Sequence, residues 1–296
     1  MTTYLGIDLA WAERARTGLA ALDAGGRLVA STAVVTDDEI VAFVADHSTG
    51  PVVATIDAPL VVPNEKGRRL CETLVGAEYG KYNAYAHSSN RSNRLFSPPR
   101  GAVLAERLGW TLDPEQRPDG VRSVAIEVYP HPAMVSLFDL GTVIPYKGKR
   151  GRTVDGRRLA FAELLDAIER VCGETLGLGA SARWAELRAV VGTASRQMHL
   201  EAVEDEIDAI FCAHLAWLWG TGDPQMRVLG DVERGYIVVP GPPRVPPRPR
   251  QGPAPSPAPT AADVRAELIA TFRAAVPLSA DEAATLAELA LRRLGR

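Results

Sequence analysis

Five acids sit where they could share a site. Asp8, Asp57 and Glu127 each close an apolar run, in Gly6-Ile7-Asp8, Thr55-Ile56-Asp57 and Ala125-Ile126-Glu127. Asp205 and Asp208 are three residues apart, so on a helix they project to one side. An acid inside an apolar run is expensive without a partner. Gathered carboxylates also repel, and each raises the pKa of its neighbours. A divalent cation removes that penalty, and carboxylate oxygens suit Mg²⁺ or Mn²⁺. Two such ions about 3.5–4 Å apart can activate a water and stabilise the leaving oxygen of a phosphodiester. The plainer alternative for a strand-end aspartate is a turn or cap. Glu201, Glu204, Asp205 and Glu206 read equally as the solvated first turns of a helix, favoured there by the helix dipole. Asp208 lies between Ile207 and Ala209-Ile210-Phe211, which argues against a merely solvated role for it.

One stretch is densely basic. Residues 146–158 hold Lys147, Lys149, Arg150, Arg152, Arg157 and Arg158 against the single acid Asp155. Arginine grips phosphate oxygens in a bidentate way and lysine adds charge, so Lys147, Arg150, Arg152, Arg157 and Arg158 are candidate phosphate contacts. A solvated loop is the alternative. Arg68 and Arg69, and the hydroxyl-, amide- and arginine-rich segment 87–100, are further candidates for a substrate groove or for simple cover of a sheet. His131 lies just past Glu127 and could orient a water or assist a leaving group. His214 sits on an apolar helix and reads as packed. Trp217 and Trp219 read as core. Trp11, in a loop after Asp8, is the aromatic that could face a ligand.

The elements that must position these groups alternate regularly at first. Residues 4–9, 17–22 and 27–35 read as strands, with the hairpin signal Asp23-Ala24-Gly25-Gly26 between the last two. Residues 37–46 read as a helix capped by Thr36 or Asp37. Residues 51–57 read as a buried central strand. The order is β-β-β-α-β, with an aspartate at the end of each of two central strands, and ligand sites in open sheets gather beyond such ends. Residues 58–120 read as an irregular insertion over one end of the sheet, with a short helix at 101–108. A strand at 122–129 follows, then helices at 131–140, 159–172, 180–191 and 198–219, and a short strand at 235–239.

From 241 to 260 the chain is Pro-rich and reads as an extended linker. Two helices, 261–275 and 279–294, then form a tail that could dock a protein partner. Ser279 and Glu282 have capping-box spacing. With 296 residues, 46% hydrophobic and 23% charged, the chain can bury a sizeable core, which excludes a mainly disordered protein. Its net charge of −3 excludes a globally basic nucleic-acid coat. Three scattered cysteines, no apolar run long enough to span a bilayer and no secretory leader fit a reduced, cytoplasmic protein without a membrane partner.

Five strings in order, GIDLAW (6–11), TIDAPL (55–60), IEVYPHPA (126–133), PYKGKRGR (145–152) and EDEIDAIFCAHLAW (204–217), resemble the domain of unknown function 429 family over residues 4–240. Members are described as predicted nucleases of the RNase H-like fold. The resemblance implies an α/β fold, a five-stranded mixed sheet whose first three strands are antiparallel. It implies metal-dependent hydrolysis of DNA or RNA, with Asp8 as the central metal bridge, Asp57 as the fourth-strand acid and Asp208, with Asp205, as the helix acid. The last motif is also similar to that of Holliday-junction resolvases, which act as dimers, so a homodimer is a further expectation. Two alternatives stand beside this reading. One is an ATP-using phosphotransferase of the actin and sugar-kinase type, poorly matched because Trp11, Glu13 and Arg14 stand where small residues would hug phosphates. The other is a non-catalytic binding or scaffold module.

Overall fold

Alternation along the first strand decides which groups can meet. In β1 (Thr3–Asp8), Leu5 and Ile7 point to one face of the sheet, and Tyr4, Gly6 and Asp8 to the other. β2 (Thr17–Leu22) pairs antiparallel with β1, and β3 (Leu28–Val34) pairs antiparallel with β2. After α1 (Asp37–His47), β4 (Val52–Ile56) adds to the other side of β1 in parallel, with Ile7 beside Ile56. β5 (Val124–Glu127) adds in parallel to β4. The sheet order is β3-β2-β1-β4-β5. That five-stranded mixed sheet, with helices on both faces, fits the RNase H-like arrangement.

The computed structural model describes residues 1–12, 14–116, 119–249, 261–275 and 278–293. Between β4 and β5 lie α2 (Leu70–Tyr79) and α3 (Arg100–Arg107). After β5 come α4 (Pro130–Leu137), α5 (Val154–Leu176), α6 (Ala182–Thr193) and α7 (Gln197–Gly220). A hairpin of β6 (Arg227–Asp231) and β7 (Gly235–Val239) follows. α2 and β6 were not expected from the sequence. α2 is short and carries Gly76, a poor helix former, in its interior, and its start is fixed by the Arg69–Glu72 pair rather than by a Ser, Thr or Asp cap. Its buried side packs Cys71, Val75 and Tyr79 under the hairpin with Ile237 and Val239.

One core lies between the sheet and helices α4 to α7, and the other between the sheet and α1 and α3. Leu5, Ile7, Leu19 and Leu22 are almost wholly buried, at about 1.5–3 kcal/mol each. Capping is regular where the sequence signals it. Thr36 Oγ1 accepts from the Glu39 N–H, and Glu39 reaches back to the Thr36 N–H. All three cysteines are buried and unpaired. Among the described residues no helix is long and apolar enough to cross a membrane.

The chain divides into two units, Met1–Arg248 and Pro249–Arg296. The start of the Pro-rich segment does not hang free as a linker. The Tyr79 hydroxyl donates to the Pro240 carbonyl and the Tyr82 hydroxyl to that of Val245, and the Arg248 N–H donates to the Gly141 carbonyl. Arg244 pairs with Asp139. Residues 250–260 lie outside the described residues. In the second unit, α8 (Ala261–Ala275) and α9 (Ala280–Arg293) pair through Arg265 and Glu288, and Ser279 and Glu282 form the expected capping box.

Candidate functional site

Two glycines set the distance between sheet and helix. A Cβ on Gly6 would lie 2.0 Å from the Ala209 carbonyl oxygen, and one on Gly18 would lie 1.8 Å from that of Asp205. Only a residue without a side chain lets α7 lie so close to β1 and β2. Thr55 adds a tie from β4, its hydroxyl donating to the Cys212 carbonyl at 2.6 Å. This close approach brings Asp205 and Asp208 onto the sheet face that Asp8 shares. Asp57, one residue past β4, donates its N–H to the Ile7 carbonyl and so stands beside Asp8.

Three aspartates therefore meet at the strand ends, and Lys147 stands among them. Its ammonium is 2.5 Å from Asp208 Oδ2, 3.6 Å from Asp8 Oδ2 and 3.5 Å from Glu204 Oε1. The Asp208 side chain is fully buried, and Tyr146 donates to its Oδ1 at 2.8 Å. Asp8 Oδ2 and Asp208 Oδ2 are buried, and the Lys147 ammonium is the charge that faces both. Asp205 lies half-buried on the solvent side, 4.0 Å from Arg16.

Crowding shows in the proton affinities. Burial, opposed by Lys147 and reinforced by Asp208, Asp57 and Asp205, holds Asp8 well above the usual carboxylate range. Burial, opposed by Lys147 and reinforced by Asp208 and Glu127, raises Asp57 to about 7. Burial also raises Glu204 and Asp205. Burial alone would lower Lys147, but Asp208, Asp8, Tyr146 and Glu204 outweigh it, so the ammonium keeps its proton.

Asp8, Asp57 and Lys147 line a cleft of about 560 Å³, with Trp11, Tyr129, His131, Lys149 and Arg152 among its other walls. His131 Nδ1 lies 3.3 Å from the Tyr129 hydroxyl, which donates its own proton to the Tyr85 carbonyl at 2.7 Å. Burial and then Lys147, Lys149 and Arg152 push the His131 pKa down to about 3, so it faces the cleft as neutral imidazole. It can hydrogen-bond a ligand but brings no charge and little basicity at neutral pH.

Several expected roles change. Glu127 is not an open metal ligand. Its carboxylate accepts two bonds from Arg69, at 2.6 and 2.8 Å, and one from the Leu60 N–H. Arg69 is likewise buried between Glu127 and Glu72 and cannot reach a substrate phosphate. Arg157, expected on a basic loop, is 1% exposed on α5. It donates to the Tyr146 carbonyl, Gln197 and Glu204, and so braces the 146–152 loop against α7. Lys147 is committed to the acid cluster instead of standing free for phosphate. Arg158, also on α5, pairs with Asp155. Arg150 is exposed, and Arg152 lines the cleft while donating to the Lys147 carbonyl. Glu206 is no solvated turn residue; it is buried and bound by Arg183 and Ser31. His214 packs beside Trp217, as expected. Sequence reasoning missed Glu204 as a site residue, although its spacing of four from Asp208 places both on one helix face. Tyr146 gave no signal, because only the fold brings its loop to α7.

The fold and site define an α/β protein with an RNase H-like sheet and a carboxylate–lysine cluster at its central strand ends. The chain belongs to the DUF429 family of proteins of unknown function, whose model matches residues 6–234. No curated protein and no solved structure gave a match.

Proposed function

We propose that this protein is a metal-dependent phosphodiesterase acting on nucleic acid, with Asp8, Asp57 and Asp208 holding Mg²⁺ or Mn²⁺. The observation behind this reading is the gathering of aspartates at the strand ends: Asp8 and Asp57 line an open cleft, and the buried Asp208 shares the Lys147 ammonium with Asp8. Hard, anionic oxygen is the donor chemistry that these cations take. Among the described residues no three His, Cys, Asp or Glu side chains stand together as a ready-made metal group, and Lys147 lies between the aspartates. A cation would therefore compete with the Lys147 ammonium for the same oxygens. When bound, it would supply an activated water and neutralise charge on the phosphodiester.

The remaining work falls to the chain itself. Tyr146 fixes the Asp208 carboxylate by its hydrogen bond. Lys149 and Arg152 on the cleft wall draw a phosphate toward the aspartates. Lys147 also lines the cleft, so a cation that took its place at Asp208 would leave its ammonium free to pair with that phosphate. His131, kept neutral, can hydrogen-bond a ligand at the cleft wall without adding charge.

The Lys147 ion pairs favour a second reading, a binding module whose acids are permanently neutralised. Thermal unfolding with Mg²⁺ or Mn²⁺, on the wild type and Asp8→Asn, separates the two. Metal should raise the wild-type melting temperature by mass action and do much less in the variant. Cleavage of structured DNA and RNA should need metal and fail in Asp8→Asn. Flat metal responses in both proteins would leave the binding module as the reading.

A further inference from the structure

A second groove, of about 600 Å³, adjoins the cleft, and Trp11 lines both. Trp11 is 36% exposed, and edge contacts to His87 and Phe96 steady its indole at 5.5 and 5.1 Å between ring centres. Arg14 and Arg94 line the second groove, both exposed. Arg100 lies there too, but Asp37 neutralises it at 2.6 Å. Among the described residues neither Arg14 nor Arg94 has a carboxylate partner, and neither has Lys149 or Arg152 on the cleft side. Unpaired cations thus flank an exposed indole on both sides, in a protein whose net charge is −3.

We propose that Trp11 and the Arg14–Arg94 groove form a binding site for single-stranded nucleic acid, which runs over the indole into the carboxylate cleft. The proposal rests on the phosphodiesterase reading and adds to it the substrate class and the path of the strand. Arginines on a groove wall suit a polyanionic backbone, and an exposed indole suits the face of a base. A duplex keeps its base faces stacked, so only an unpaired base can lie on Trp11. Both grooves fall in the size range of about 300–1,000 Å³ that encloses a small ligand, and two in series suit a strand better than a mononucleotide. The recessed aspartates agree: the Asp8 side chain is 13% exposed and that of Asp208 0%. A thin, flexible strand can lower a phosphate to that depth.

The test is binding of fluorescent twelve-residue oligothymidylate and oligouridylate to the full chain in EDTA, with a duplex of equal length as the third arm. Single strands should bind more tightly than duplex, and should quench tryptophan emission. Of the five tryptophans, Trp110, Trp184 and Trp219 are buried, so Trp11 should account for most of the quench. Trp11→Ala should weaken binding roughly 5- to 100-fold and abolish most of the quench. Trp11→Phe should restore most of the affinity, which separates stacking from a packing defect against Phe96. Arg14→Ala with Arg94→Ala should weaken all sequences alike and lower the salt slope by about 1.4. The DNA and RNA arms tell which single strand is preferred.

Tighter duplex binding, or full affinity in both Trp11→Ala and the double arginine variant, would overturn the proposal. Failure of the catalytic reading looks different: oligonucleotides would bind in EDTA with the Trp11 dependence, yet no metal would bring cleavage. Conversely, metal-dependent hydrolysis of bis(p-nitrophenyl) phosphate without strand binding would keep the phosphodiesterase and sink this site.

Discussion

The Lys147 ammonium lies 2.5 Å from Asp208 Oδ2, so a residue of the basic 145–152 motif neutralises the acid of the 204–217 helix. The two motifs meet as one site. Arg157 makes this possible by binding both the Tyr146 carbonyl and Glu204, which pins the loop to α7.

Replacing Lys147 by Met should therefore destabilise the metal-free protein by about 3 kcal/mol, because Asp208 and Asp8 are left buried and unpaired. Mg²⁺ should recover much of that loss and bind more tightly than to wild type, since its competitor is gone. Thermal unfolding of Lys147→Met with and without Mg²⁺ measures both. A destabilised variant that ignores metal would identify the cluster as a plain ion-pair network.

Asp57 gives a pH dependence of definite sign. Its pKa is about 7 in the folded chain against an ordinary 3.8, so the folded state binds more protons between those values. Stability should then fall as pH rises from about 4 to 7, by up to about 4 kcal/mol from this group. Asp8, raised in the same direction, adds to the fall. Denaturant unfolding across that range should show a flatter profile for Asp57→Asn. Saturating Mg²⁺ should also flatten it if the aspartates are ligands.

Gly18→Ala should be among the most damaging single-methyl changes in the protein. The new Cβ would meet the Asp205 carbonyl at 1.8 Å, and backbone cannot swing aside as a side chain can. We expect at least about 3 kcal/mol of destabilisation, or an outward shift of α7 that opens the acid cluster. Urea unfolding reports the first and loss of metal binding the second. Wild-type values for both would refute the close approach.

The buried Arg69–Glu127 pair should be structural. Arg69→Met leaves Glu127 charged and 3% exposed, at a cost of about 3–5 kcal/mol. Replacing both residues by apolar ones of similar volume should recover most of it. A double-mutant cycle in urea measures the coupling. Metal affinity should hold in any folded double variant, whereas a Glu127 that ligates metal would lose it.

Much of the frame was legible in the chain. The apolar runs ending in Asp8 and Asp57, the Asp-Ala-Gly-Gly turn and the Thr36 cap are local signals, and local sterics and hydrogen bonding act on neighbouring residues alone. They determined the β-β-β-α-β order and placed two aspartates at strand ends. The apolar setting of Asp208 likewise marked it as more than a surface charge. Which charges neutralise which was decided only by tertiary structure. Arg157 and Arg152 read alike in sequence, yet one is a buried brace and the other lines the cleft. Glu127 and Asp57 also read alike, yet Arg69 takes both oxygens of the first and leaves the second beside Asp8. Pairing of this kind depends on contacts between residues far apart in the chain, such as Arg69 with Glu127 and Lys147 with Asp208. Burial multiplies the energy of those contacts, so the fold, not the composition of a motif, fixes the role of each charge.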